Sequence, residues 1–190
     1  MSVLRLTGGS RGLAASPYQP LHPGQAGAKS RAVEPAGSGA VTNQPSEKLI
    51  TIIGGSGFVG RHIVRALAKR GYRIRVACRR PDLAGHLQPL GTPGQIMPVQ
   101  ANVRYPASLA AACAGAHAVI NLTGVLYSAG AQSFDAIHVF GAEASASAAR
   151  AAKARLFIQM SALGANETGR AAYARSKAEG EKRARAAFPG

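Results

Sequence analysis

One stretch restricts the fold more than any other. In "LITIIGGSGFVGRHIVRAL", residues 49–67, an apolar run with strand character gives way to glycines and then to a helical period. Gly54, Gly55, Gly57 and Gly60 satisfy G-x-G-x-x-G counted from Gly55, and G-x-x-G-x-x-G counted from Gly54. The spacing alone is weak, but its context is the one a dinucleotide cradle requires: a strand before it, an amphipathic helix after it, at a first strand-to-helix junction. There Gly54 or Gly55 lets the chain turn sharply, Gly57 keeps a side chain out of the path of a pyrophosphate, and Gly60 lets the helix lie close to the strand. The backbone at the helix start, over Ser56, Phe58 and Val59, binds the anion through its exposed amides. The competing reading is a bare packing turn with no ligand.

From residue 49 onward the pattern is regular. Apolar runs at 49–54, 72–78, 95–100, 117–123 and 155–161 alternate with helical stretches near 58–70, 106–114, 132–152 and 170–187. Strands separated by helices imply successive βα units and a parallel sheet. The right-handed crossover rule makes this a doubly wound α/β fold, a Rossmann sheet of strand order 3-2-1-4-5. Pro98 falls inside the third run, which this order places at the sheet edge, where a missing backbone donor is tolerated. Residues 1–48 differ in kind: Pro17, Pro20, Pro23, Pro35 and Pro45 are scattered among Gly, Ala and Ser without a sustained period, which predicts a disordered extension. Within it "LTGGSRGLAAS", residues 6–16, imitates a glycine turn, but the prolines that follow break any helix it would open. The extension reads as a bacterial disordered segment or a misassigned start; its basic character also suits a mitochondrial transit peptide.

Composition narrows the function. The chain of 190 residues carries a formal charge of +15, which raises the question of nucleic acid. Yet the eight Lys and Arg between Arg61 and Arg80 include Arg61, Arg65, Lys69 and Arg70, which recur three or four apart between Val59, Ile63 and Leu67. That is the solvated face of an amphipathic helix. Aromatic content is 5% with no Trp, so a base-stacking surface is not expected, and nucleic acid is not the expected partner. An acidic protein or an anionic lipid surface suits the charge better, which leaves peripheral membrane association open. No apolar run reaches the roughly 20 residues that span a bilayer. Cys78 and Cys113 form no C-x-x-C and both read as core positions, so neither a disulfide framework nor a metal site is expected. His62, His86, His117 and His138 lack metal spacing or a paired carboxylate and read as surface or packing residues, and Glu179 and Glu181 as part of a solvated helix face.

The end of the second strand sets the ribose preference. A site selective for NAD(H) places Asp or Glu there, whereas "RVACRRPDL" offers Arg79 and Arg80, with Asp82 late and behind a proline. Guanidinium groups pair with a 2'-phosphate, so NADP(H) is the preferred cofactor, through Arg79 before Arg80, and NAD(H) the alternative.

With these residues in view, "IIGGSGFVGRHIVRALAKRGYRIRVACRRPDLAGHL", "VQANVRYPASL", "AVINLTGVLY", "MSALGA" and "YARSKAEGEK" together resemble the atypical and extended short-chain dehydrogenase/reductase superfamily. More narrowly they resemble the family of the nucleotide-binding accessory subunit of respiratory complex I (alpha subcomplex subunit 9) and its bacterial relatives. The resemblance covers residues 49–190. It implies that Asn102, where aspartate is usual, and Val103 flank an adenine, and that Leu122, Thr123 and Gly124 line the nicotinamide side. It also gives "YARSK" a meaning: Tyr173 and Lys177 lie one helical turn apart, and with Ser161, 12 residues earlier, form the Ser, Tyr, Lys arrangement of the superfamily. A neighbouring ammonium favours tyrosinate, which makes the phenol a usable acid or base. In the other reading Lys177 and Tyr173 serve only to hold the nicotinamide ribose. Relatives continue into a substrate-binding region, so "AAFPG" at the end is expected to leave this chain without one.

The expectation is therefore an NAD(P)(H)-binding subunit linked to respiratory complex I or quinone metabolism, in the cytoplasm, peripheral on the inner membrane, or in the mitochondrial matrix. The alternatives are an active reductase, epimerase or dehydratase acting on a sugar nucleotide or small carbonyl compound, and an NmrA-type nucleotide sensor.

Overall fold

The first strand, β1 (Ser46–Ile53), alternates its faces over Ile50–Ile53, and this alternation divides the core. Ile50 and Ile52 join Val64, Ala68, Ile74, Val76 and Leu87 on one side of the sheet, while Ile53 joins Leu109, Cys113, Val119, Ala148 and Ala149 on the other. The computed structural model describes residues 46–189. Its order is β1, α1 (Phe58–Ala68), β2 (Tyr72–Cys78), β3 (Ile96–Gln100), α2 (Pro106–Cys113), β4 (Ala118–Asn121), α3 (Phe140–Ala151), β5 (Leu156–Gln159) and α4 (Ala172–Ala187). The five strands are all parallel in the order β3-β2-β1-β4-β5, the topology the alternating pattern predicts. Pro98 sits in edge strand β3, opposite Val76, where its missing N–H costs no ladder bond on the open side.

α1 covers one face of the sheet; α2 and α3 cover the other, and α4 packs outside α3 through Ala142, Ala146 and Ala184. Boundaries move in places. β1 begins at Ser46 rather than 49, so the last part of the segment read as disordered is strand; residues 1–45 lie outside the described residues. The helix expected over 132–152 begins later: Asp135–Val139 form a wide π turn that runs straight into α3. In place of a helix after β2 there are short 3-10 turns, Pro81–Leu83 and Gly85–Leu90. In α1 Gly60, Val64 and Ala68 are buried and Ile63 and Leu67 pack against the same core, whereas Val59 is exposed. Arg61, Arg65, Lys69 and Arg70 occupy the solvated face. Among the described residues no helix is long and apolar enough to cross a membrane.

Candidate nucleotide-binding site

The glycine turn is built by demands that differ at each position. Gly54 adopts φ +78°, a left-handed conformation that side chains disfavour, while its N–H donates to Ala77 O at 2.8 Å and extends the β1–β2 ladder. At Gly60 an added methyl group would fall 2.5 Å from the carbonyl carbon of Gly55 and 2.6 Å from its Cα, so only glycine lets α1 rest on the turn. Gly57 is constrained by neither: its φ of −76° and ψ of −178° are extended backbone open to any residue, and a Cβ there would meet only Gly54 O, at 3.4 Å. It is exposed and faces open space.

That space is a cleft of about 530 Å³ at the carboxyl ends of the strands. Gly54, Ser56, Gly57, Phe58, Val59 and Gly60 form one wall, Arg79, Asn102 and Val103 one end, and Leu122, Thr123 and Gly124 the other. Gly55 does not line it; its Cβ direction points at Ile52 and Val76, into the core. The N-terminus of α1 opens into the cleft without a side-chain cap and without an acid in its first turn. The first helical bond runs from Arg61 N–H to Gly57 O at 3.1 Å, which leaves the amides of Phe58, Val59 and Gly60 outside the ladder. Such an end favours an anion.

The two arginines after β2 separate. Arg79 lines the cleft, and its guanidinium donates to the neutral Gln132 Oε1 at 2.9 Å. Arg80 does not line it; its guanidinium pairs with Asp82 at 2.8 Å on the exposed surface, and that partner holds the Asp82 carboxyl below its ordinary range. Among the described residues the only acid that closely follows β2, Asp82, is thus tied up outside the cleft. Arg104, which the sequence reading passed over, lines the cleft as a second cation; its only signal was a basic residue shortly after the third strand. Asn102 turns inward on its own loop, its Oδ1 accepting the Arg104 N–H at 3.1 Å. Leu122–Gly124 are held from below: the fully buried Asn121 accepts from Thr123 Oγ1 at 2.6 Å and Thr123 N–H at 3.1 Å, and donates to Gln159 at 2.9 Å.

Ser161, Tyr173 and Lys177 each have their own partners. Ser161 donates its hydroxyl to Glu181 and lines a different cavity, beside β5 and the end of α4. Glu181 is accordingly engaged by Ser161 and is more than a solvated face residue. Lys177 is buried and donates to Met160 O at 2.9 Å, and burial holds its ammonium below the usual lysine range. It lies behind Gly124, where an added methyl group would be 3.9 Å from Lys177 Nζ. Tyr173, one turn before it, packs edge-on against Phe134 and His138. His138, read from the sequence as a surface or packing residue, is buried at the centre of this group. Burial and the nearby Lys177 push its imidazole down to about 4, so the ring is neutral.

The comparisons with known proteins agree with this geometry. A family described as NAD(P)H-binding matches residues 54–187. The chain belongs to that family. It is 38% identical over 141 residues to a ceramide reductase of Caulobacter vibrioides, an alignment covering 74% of this chain and 43% of that protein. It is 34% identical over 147 residues to NADH dehydrogenase [ubiquinone] 1 alpha subcomplex subunit 9, mitochondrial, of Dictyostelium discoideum, covering 77% of this chain and 41% of the relative. The chain therefore spans less than half the length of these curated relatives. The X-ray structure of Pen from Bacillus thuringiensis superposes with a TM-score of 0.63 at 19% identity over 77% of this chain and 46% of that one, which shows the shared fold. The residues present fit a nicotinamide dinucleotide: an open Gly57, an uncapped helix start and a cation in the same cleft.

Proposed function

We propose that this domain binds NADP(H) in preference to NAD(H) and holds it chiefly as a structural ligand, in an assembly related to respiratory complex I or quinone metabolism. The observation that carries the cofactor preference is the division of labour after β2. Arg79 is in the cleft against a neutral amide, while Asp82, the carboxylate that follows β2, is paired with Arg80 outside it. A 2'-phosphate gains a charge-assisted bond from Arg79. The bound dinucleotide would place its pyrophosphate at Gly57 and the first turn of α1, its adenosine toward Arg79, Asn102 and Val103, and its nicotinamide toward Leu122–Gly124; it would supply hydride chemistry if a substrate reached it. The structural role is supported by Ser161, which faces Glu181 rather than the cleft, and by the similarity to the complex I subunit.

A second reading, an active reductase, draws on Lys177 behind Gly124, on Tyr173 one turn before it on α4, and on the similarity to a ceramide reductase. It requires NADPH turnover that is lost in Tyr173→Phe. Titration calorimetry of the full chain tests the cofactor reading. NADPH is expected to bind at least tenfold more tightly than NADH, with the difference abolished in Arg79→Ala and retained in Arg80→Ala. Failure of both nucleotides to bind, or tenfold tighter NADH, would overturn it.

A further inference from the structure

We infer that His138 is a positioning residue that ties the nicotinamide-side wall of the cleft to helix α4, and so sets the affinity for the nicotinamide half of the dinucleotide. The hydrogen bonds fix its role without ambiguity of tautomer. Val125 N–H donates to Nε2 at 2.9 Å, and a backbone amide can only donate, so Nε2 carries no proton. In the neutral ring the proton is therefore on Nδ1, which donates to Ser176 Oγ at 2.9 Å. The Ser176 hydroxyl passes the direction on, donating to Tyr173 O at 2.8 Å. One ring thus joins the loop that follows β4 to the turn of α4 that carries Tyr173 and Lys177.

The backbone is arranged around this ring. His138 stands in the π turn Asp135–Val139, a local widening of the helix that recurs at functional sites. α4 approaches its carbonyl so closely that a methyl group at Gly180 would collide with His138 O. Phe134 stacks on the imidazole at 5.3 Å and Tyr173 meets it edge-on at 5.3 Å, which removes rotational freedom. Gly124, exposed on the cleft, lies beside the ring: a methyl group there would be 3.6 Å from Nε2. Val125 bonds the ring directly and Gly124 lies against it, whereas neither Arg79 nor Asn102 is a hydrogen-bond or ring partner of His138.

This inference rests on the orientation proposed above, and two ligands keep the two ideas separable. Adenosine 2',5'-bisphosphate reports the adenosine end, and NADPH reports both ends. In His138→Leu the Val125 amide loses its acceptor, and NADPH affinity is expected to fall at least tenfold while adenosine 2',5'-bisphosphate changes less than twofold. His138→Gln, whose amide oxygen can accept and whose NH2 can donate, should recover NADPH affinity to within threefold of wild type. Ser176→Ala, a smaller change that keeps the ring, should show the same split at a few-fold level if His138→Leu does not fold. Equal weakening of both ligands would reduce His138 to a general packing residue, and unchanged NADPH affinity or no recovery by Gln would also overturn the inference. Wild-type protein that binds neither ligand would overturn the cleft reading itself and this inference with it.

Discussion

Gly57→Val separates a cradle from a packing turn, because the structure predicts opposite effects on binding and on stability. Valine can adopt the φ of −76° found at this N-cap, and its Cβ would have only Gly54 O, 3.4 Å away, as a close neighbour. A poor N-cap residue costs about 1 kcal/mol, and the stiffer unfolded chain offsets about 0.4–1 kcal/mol of that, so the apoprotein should melt within about 4 °C of wild type. The branched side chain projects into the cleft, however, between the proposed pyrophosphate position and the amides of Phe58 and Val59. A loss of more than tenfold, about 1.4 kcal/mol, is expected in affinity. At a concentration of NADPH 100 times the wild-type Kd, the ligand stabilises wild type by about 2.7 kcal/mol, and a tenfold weaker variant by about half of that. Paired thermal melts with and without NADPH measure this difference directly. Gly60→Ala is the contrasting control. Its methyl group meets Gly55 backbone atoms at 2.5 and 2.6 Å, which no rotamer relieves, so the apoprotein should lose about 3 kcal/mol, roughly 10 °C. An equal NADPH-induced rise in wild type and Gly57→Val would refute the cradle, as would a Gly60→Ala protein as stable as wild type refute the close packing.

Two further outcomes follow from the core. Thr51 is fully buried and donates to Ala112 O at 3.0 Å, but that carbonyl also accepts from Arg75 at 2.8 Å. Thr51→Val leaves it satisfied and should cost only about 1 kcal/mol in urea unfolding, and a loss above about 3 kcal/mol would contradict this account. His138 gives a pH signature: with its folded value pushed down to about 4 from an ordinary 6.5, the unfolded chain binds a proton that the folded one does not between those limits. Stability should be complete above pH 6.5 and fall as pH drops toward 4, by roughly 3 kcal/mol at most, and His138→Gln should flatten that difference in chemical denaturation at a series of pH values.

How much of this was legible from the residues depends on whether a signal is local. The sheet order and the glycine turn were legible because short apolar runs, a 3.6-residue helical period and glycine spacing all reside in consecutive residues and needed no partner to be recognised. The edge position of Pro98 followed from the same order. The division between Arg79 and Arg80 was only half visible. Two adjacent guanidiniums look alike in sequence, and it is the capture of Arg80 by Asp82, and of Arg79 by Gln132 from 53 residues away, that tells them apart.

The catalytic grouping marks the limit of the sequence more sharply. The four-residue spacing of Tyr173 and Lys177 guaranteed a shared helix face, but nothing in it specified where Ser161 would point, and its hydroxyl went to Glu181 on the following helix. His138 was invisible as a functional residue, because its partners Val125 and Ser176 come from other segments and its burial depends on a π turn that no residue pattern announced. The sequence by itself thus determined the architecture and the anion-binding turn, which rest on backbone geometry and periodic burial. Tertiary structure alone decided which charged and polar side chains meet in the cleft, since hydrogen bonds and ion pairs act over about 3 Å and depend on segments that only folding brings together.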